Sequence, residues 1–235
     1  MDIKLTNDID TIFKKEFKKI GAKQVPFATL SALNDTALQV RTSLYQHMKI
    51  QFDEPTHWTV PKNFEKASNK KGSLIILYAN RNNLRASVMV KDKGQAPHID
   101  YLKPQILGGS REAKSSELSL RSKGLISNNK FITPANITKN KFGNVSKSNI
   151  TKVLSGLSAL AGAPSGNVSK QKSKYFIISE GIWERRGKNL KKLFNIVNQP
   201  RYSKKILFNR VADNVIKLNI VKNFEKSLKY VLRTS

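Results

Sequence analysis

Apolar positions change period along this chain. Over residues 8–20, DIDTIFKKEFKKI, the residues Ile9, Ile12, Phe13, Phe17 and Ile20 fall at spacings of 3, 1, 4 and 3. One apolar stripe with lysines opposite predicts an amphipathic helix, with Gly21 as its stop. A longer helix is expected after Pro26, a residue suited to a first turn. Phe27, Leu30, Leu33 or Asn34, Ala37, Leu44 and Met48 mark its buried face. Pro55 and Pro61 then break the chain on either side of Trp58. The period falls to two in residues 84–92, LRASVMVKD, where Ala86, Val88 and Val90 alternate with Arg85, Ser87, Met89 and Lys91. With SLIILYA at 73–79 and NRNN between, this predicts a β-hairpin with a four-residue loop.

Helical pattern returns in HIDYLKPQI and in SREAKSSELSLRSKGL. In the second, Ser110 is the expected N-cap, Gly124 the stop, and Ala113, Leu118 and Leu120 the apolar contacts. The joining text, ILGGSREAK, lacks both the G-x-x-x-x-G-K-[ST] and the G-x-G-x-x-G spacing of nucleotide loops. It reads as a joint in which Gly108 or Gly109 takes positive φ. Arg111 and Lys114 would then be first-turn cations, poorly placed for the helix dipole, so a carboxylate or phosphate is expected beside them. Residues 136–173 are rich in Asn, Ser, Gly and Lys and read as a flexible insertion or arm with a short helix at 148–161. Strands are expected at 175–179 and 190–197, joined through 181–187. A long helix is expected over 204–232, marked by Phe208, Val211, Val215, Leu218, Phe224, Leu228 and Val231. The order predicts an α+β fold: long amphipathic helices packed on a small antiparallel β-sheet. Residues 1–135 and 174–235 would form a single domain, with 136–173 inserted into it.

Charge adds a partner class. The chain has 43 Lys and Arg against 16 Asp and Glu, a net charge of +27, with cations from Lys4 to Arg233. Such an excess calls for nucleic acid, an acidic protein surface or an anionic membrane. Abundant Lys, Asn, Ile and Ser also fit AT-rich coding, which lowers the weight of the lysine count. There is no Cys, hence no disulfide or thiolate metal site. MDIKLTNDIDTIF lacks the basic and apolar regions of a secretory signal, and the longest apolar runs, such as 74–79, are far short of a membrane span.

Nothing assembles into a catalytic site. His47, His57 and His98 have no metal spacing, Asp53 and Glu54 suit a helix end, and Glu180 and Glu184 suit weak surface pairs with Arg185 and Arg186. The N-x-S/T triplets at Asn136, Asn144, Asn149 and Asn167 are chance matches in an Asn- and Ser-rich segment. No enzyme activity, cofactor or metal is expected. Neither a helix-turn-helix, a zinc finger nor an RNA-sheet signature is present, which leaves phosphate contact without base reading. Arg111, Lys114, Lys188, Lys191 and Lys192 are the candidates for anion or DNA contact. Trp58, Trp183, Arg185, Arg186 and Tyr202 are the candidates for a protein interface, where aromatic and Arg side chains concentrate binding energy.

Several phrases carry a resemblance: PFATLSALNDTALQVRTSLYQHMKIQFDEPTHWTV, ASVMVKD, YLKPQILGGSREAKSSE, GIWERR, LFNIVNQPRYSKKILF and the long amphipathic C-terminal helix. Together they resemble phage tail proteins of the minor tail protein Z type and related tail-completion or neck proteins at the head–tail junction. The resemblance covers nearly everything except 136–173. It implies a structural component of a tailed-phage virion, made in the host cytoplasm and carrying no catalytic residues. It also implies a homo-oligomeric ring held by protein–protein contacts with portal, adaptor, tail-tube or nozzle proteins, with non-specific contact to packaged DNA and none to membrane. The charge alone supports a different reading, a sequence-nonspecific nucleic-acid-binding protein acting outside any particle.

Overall fold

A computed structural model describes residues 3–4, 24–66, 68–69, 71–91, 102–157 and 174–234. The helical pattern at 8–20, His98 and residues 158–173 lie outside the described residues. The fold is α+β, as the order of periods predicts. Its contacts divide the chain into two compact units, Met1–His98 with Lys205–Ser235, and Ile99–Lys204. The expected single domain interrupted at 136 therefore differs from the observed division, which falls at 98 and 204.

In the first unit, helix α1 (Gln24–Gln51) and helix α5 (Phe208–Thr234) pack along each other. Ala28 and Ala32 meet Phe224 and Leu228, small against large, which lets two helix surfaces interdigitate. Phe27, expected in the buried face, is 44% exposed. The rest of the expected stripe is buried at Leu33, Ala37, Leu44 and Met48; only in the first turn does Ala28, not Phe27, face Phe224. Asn223 donates to Thr36 Oγ1 at 2.9 Å and to Gln39 Oε1 at 3.0 Å. Leu207 N–H donates to His47 Nε2 at 3.2 Å, tying the chain entering α5 to the far end of α1. These pairings make the helices antiparallel and fix their register. His47 is half-buried at this junction.

Strands β2 (Leu74–Leu77) and β3 (Ser87–Val90) form the predicted hairpin, Leu74 opposite Val90, with a bridge between Asn80 and Asn83 closing the loop. Strand β1 (Ile3–Lys4) pairs with the other edge of β3, so β2 is an edge strand. Side chains take the place of a further strand along it. Tyr45 Oη accepts from Leu74 N–H at 2.9 Å. Asn69 accepts from Ile76 N–H at 3.0 Å and donates to its carbonyl at 2.7 Å. Asn34 does the same for Ala79, at 2.7 and 3.2 Å. Buried Arg41 holds Asn69 in place by donating to its Oδ1 at 2.8 Å.

The second unit is built on a four-stranded antiparallel sheet in the order β5-β8-β7-β6. Its strands are β5 (Phe131–Pro134), β6 (Tyr175–Ile178), β7 (Gly181–Arg186) and β8 (Asn189–Val197). Two-residue strands β4 (Gly109–Ser110) and β9 (Arg201–Tyr202) pair beside it, with helices α2 (Lys103–Leu107), α3 (Ser115–Ser122) and α4 (Lys147–Gly156). The core gathers Leu120, Ile132, Val153, Ile182, Phe194 and Ile196. In β8 the register passes from Ile182 opposite Phe194 to Trp183 opposite Lys192, leaving Leu193 as an extra residue. This bulge sends both Leu193 and Phe194 into the core.

Three expectations are corrected here. The stretch 181–187, read as a connecting turn, is the inner strand β7. One of its inward residues is Glu184, and that carboxylate hides the apolar alternation. Ser110, read as a helix cap, lies in β4 opposite Arg201, and α3 starts five residues later at Ser115. Residues 136–157, read as part of an arm, enter the core through Ile137, Val153 and Leu154. The glycine joint itself is present, with φ of 77° at Gly108 and 96° at Gly109.

Gly72 tests the β2 edge. Its φ is +81°, and a Cβ there would lie 2.6 Å from Pro61 Cγ and against the Tyr45 hydroxyl. Gly72→Ala is expected to cost about 2–4 kcal/mol from backbone strain and overpacking, read as a lower urea midpoint. Tyr45→Phe, which leaves Leu74 N–H without an acceptor, is expected to cost about 1–3 kcal/mol in the same assay.

Candidate functional site

The β7–β8 hairpin carries Trp183, Arg185, Arg186, Lys188, Lys191 and Lys192, and strand alternation sorts them. Trp183, Arg185 and Lys192 lie on the sheet face turned away from the core, with Phe176 and Ile178 of β6 and Leu190 of β8. The Lys192 ammonium sits 5.6 Å from the Trp183 ring, and the Arg185 guanidinium 5.6 Å from the Phe176 ring, within cation–π range. The Trp183 indole N–H donates to the Ile178 carbonyl at 3.3 Å. Gly181 is the floor of this arrangement: a Cβ would lie 2.5 Å from Lys192 Cε and 2.8 Å from the indole nitrogen. Ile178 and Leu190 are each 52% exposed. Trp183 is thus neither a core residue nor part of a turn; it is half-buried in an aromatic and aliphatic patch bordered by cations.

Arg186 and Lys191 face the other way, with Glu184. That carboxylate, expected in a weak surface pair, is buried at 5% exposure. Arg186 Nε lies 2.7 Å from one oxygen and Lys174 Nζ 3.2 Å from the other. Burial pushes the Glu184 pKa up, but the hydrogen bonds from Arg186 and Lys174 outweigh it and hold the carboxyl below its usual range. Lys188 is exposed at the hairpin tip beside Gly187, whose φ is 61°.

Arg111 and Lys114 lie elsewhere in the unit, and the anion their positions call for is Glu117. This residue has no exposed surface. Arg111 grips it with two bonds of 2.7 and 2.6 Å, the fork geometry that suits a carboxylate. Lys114 N–H adds a bond of 2.7 Å to Oε2, closing the first turn of α3, and Ile132 N–H adds one of 2.9 Å to Oε1. Burial raises the Glu117 pKa, but Arg111 and the two backbone donors hold it below the usual carboxylate range. The Arg111 guanidinium also lies 5.0 Å from the Phe131 ring, and that of Arg121 4.6 Å from the same ring. Arg111, expected to meet an external anion, is therefore committed internally, while Lys114 is exposed. Tyr202 pairs with Gly109 across β4 and β9. Trp58 belongs to the first unit, half-buried in the turn at 57–59.

Sequence reasoning missed Glu117 and the role of Glu184. The available signal for Glu117 was its place three residues after Lys114, the residue before α3, which is the spacing of a capping box, obscured because Lys114 stands where a Ser or Thr is usual. Among the described residues no group of His, Asp and Glu could hold a metal ion, and no helix is long and apolar enough to cross a membrane.

The pH dependence of stability follows from the two buried carboxylates. Their folded pKa values lie below the ordinary 4.5, so their stabilisation is present above that pH and is lost as pH falls through the depressed folded values. Thermal melts from pH 7 to pH 2 are expected to show the midpoint falling below about pH 4.5, with a shallower fall in Glu117→Gln. Glu117→Ala strands Arg111 and is expected to cost about 3–5 kcal/mol at pH 7.

No protein-family model, no curated protein and no solved structure matches the chain.

Proposed function

We propose that this protein is a structural component of a tailed-phage virion, placed in the tail or at the head–tail junction and assembling into a ring by protein–protein contacts. The observation that carries the reading is the outward face of β6, β7 and β8. Trp183 and Phe176 stand there beside Arg185 and Lys192, with Ile178 and Leu190 exposed between cations. Aromatic and Arg side chains around exposed aliphatics are the composition of an interface centre. The segment that presents them, GIWERR, is one of those that carry the resemblance to minor tail protein Z and neck proteins. The reading assigns no reaction to the chain. It gives the surplus cations acidic neighbours or packaged DNA to face.

Net charge favours the second reading, a sequence-nonspecific nucleic-acid-binding protein acting outside a particle. Two measurements separate them. Mass spectrometry of purified particles is expected to find the protein, and Trp183→Ala combined with Arg185→Glu is expected to block its incorporation while leaving the fold intact. Absence of the wild-type protein from particles would sink the assembly reading. Tight DNA binding at physiological salt, with a steep salt slope, would favour the second.

A further inference from the structure

The core-side face of the hairpin forms a second feature, unrelated to the outward patch. We propose that the cleft between α4 and strands β6, β7 and β8 binds a single phosphate group.

The cleft measures about 80 Å³. Ligand sites for drug-sized molecules run to roughly 300 Å³ or more, so the space suits one oxyanion. Its apolar lining includes Val153 and Leu193, and its rim is polar. Asn149 and Lys152, one helical turn apart, project from the same face of α4. Lys191 enters from β8, Arg186 and Glu184 from β7, and Tyr175 from β6. Tyr175 is held by a missing side chain: any Cβ at Gly156 would run into its ring.

The charges converging there are unbalanced. Lys152, Arg186 and Lys191 stand against Glu184 alone, an excess of two positive charges in the lining. Glu184 cannot serve them all, because its oxygens are engaged by Arg186 Nε and by Lys174. Among the described residues neither Lys152 nor Lys191 has an ion pair. Glu184 instead orients Arg186 through Nε, and among the described residues the terminal nitrogens of Arg186 make no ion pair. A phosphate, carrying about −1.5 to −2 at pH 7 with several acceptor oxygens, matches both the excess charge and the mixed donors, ammonium, guanidinium and amide; the Tyr175 hydroxyl donates to Glu184 Oε1 at 3.5 Å. A carboxylate matches half of that charge.

The inference stands apart from the assembly reading. The phosphate is either free or part of a nucleic-acid backbone, and two titrations distinguish the sources. In the first, ¹⁵N-labelled protein receives sodium phosphate, with sodium chloride at matched ionic strength as reference. Saturable shifts are expected at the amides of 149–153 and 184–191. Affinity should fall at least about tenfold in Lys152→Ala/Lys191→Ala, the loss of two charge-assisted bonds, and stay unchanged in the charge-matched control Lys226→Ala/Lys229→Ala on α5. Lys191→Gln alone gives an intermediate loss and guards against misfolding of the double variant. In the second, a short duplex DNA is followed by anisotropy. A backbone phosphate in the cleft weakens DNA binding more in the cleft variant than in the control, and free phosphate as the source weakens both equally. Shifts that follow ionic strength alone, or equal loss of inorganic phosphate in both double variants, overturn the proposal.

Discussion

A sheet that ends must dispose of the backbone groups its last strand leaves unpaired, and this constraint organises both units of the protein. An unpaired N–H buried from water costs as much as a lost hydrogen bond, and an open edge invites another strand. Here side chains close two of the edges, those of β2 and β5. Along β2 the outward-facing residues Leu74 and Ile76, with Ala79 beyond them, are met by Tyr45, Asn69 and Asn34. Asn34 and Tyr45 lie about three helical turns apart on α1, so one helix face reaches along the strand. Along β5, Glu117 reaches from the first turn of α3 to Ile132 N–H. Each closure ties a helix to a strand at a fixed register, which hydrophobic contact alone leaves free to slide.

The same constraint explains how so few acids are used. Of the carboxylates, Glu117 and Glu184 are buried, and each gathers several donors instead of neutralising one surface lysine. Glu117 joins the glycine joint, the start of α3 and the edge of β5 through one group. Its Arg111 partner is fixed in turn over Phe131. The acids that could balance the surface are thus partly drawn inside, and the exterior of the chain keeps the basic excess that composition reports. Among the described residues Arg111, Lys174 and Arg186 are held by a buried carboxylate, and Lys130 by the exposed Glu180.

The parts legible in the sequence were those whose signal was periodic and apolar. Helices α1 and α5 and the β2–β3 hairpin follow from spacing, and the errors are single positions: Phe27, where Ala28 faces Phe224 instead, and Leu218, which is exposed on α5. Strand β7 was hidden for a physical reason: its inward positions include Glu184, so its alternation is not hydrophobic. Residues 136–157 were hidden by their surroundings. Ile137, Val153 and Leu154 are few and widely spaced among Asn, Ser and Lys, yet they are the ones that enter the core. At the candidate site the residue types were legible and their sidedness was not. Arg111 shows the same limit, since its partner Glu117 lies six residues on and meets it only through the fold of the chain into α3.

Sidedness on the hairpin depends on one residue. In a regular ladder, with Ile182 opposite Phe194, the residue facing Trp183 would be Leu193, and Lys192 would stand opposite Glu184. A shift of one position moves every following side chain to the other face. The bulge at Leu193 makes that shift within β8. It turns Leu193 inward beside Phe194, brings Lys191 opposite Glu184, and places Lys192 over the Trp183 ring. Gly181 leaves the space that Lys192 and the indole then occupy. Two adjacent lysines with nothing in sequence to tell them apart are thereby given different tasks, one beside the cleft and one on the outward face. A single extra residue in one strand lets the same hairpin present both surfaces.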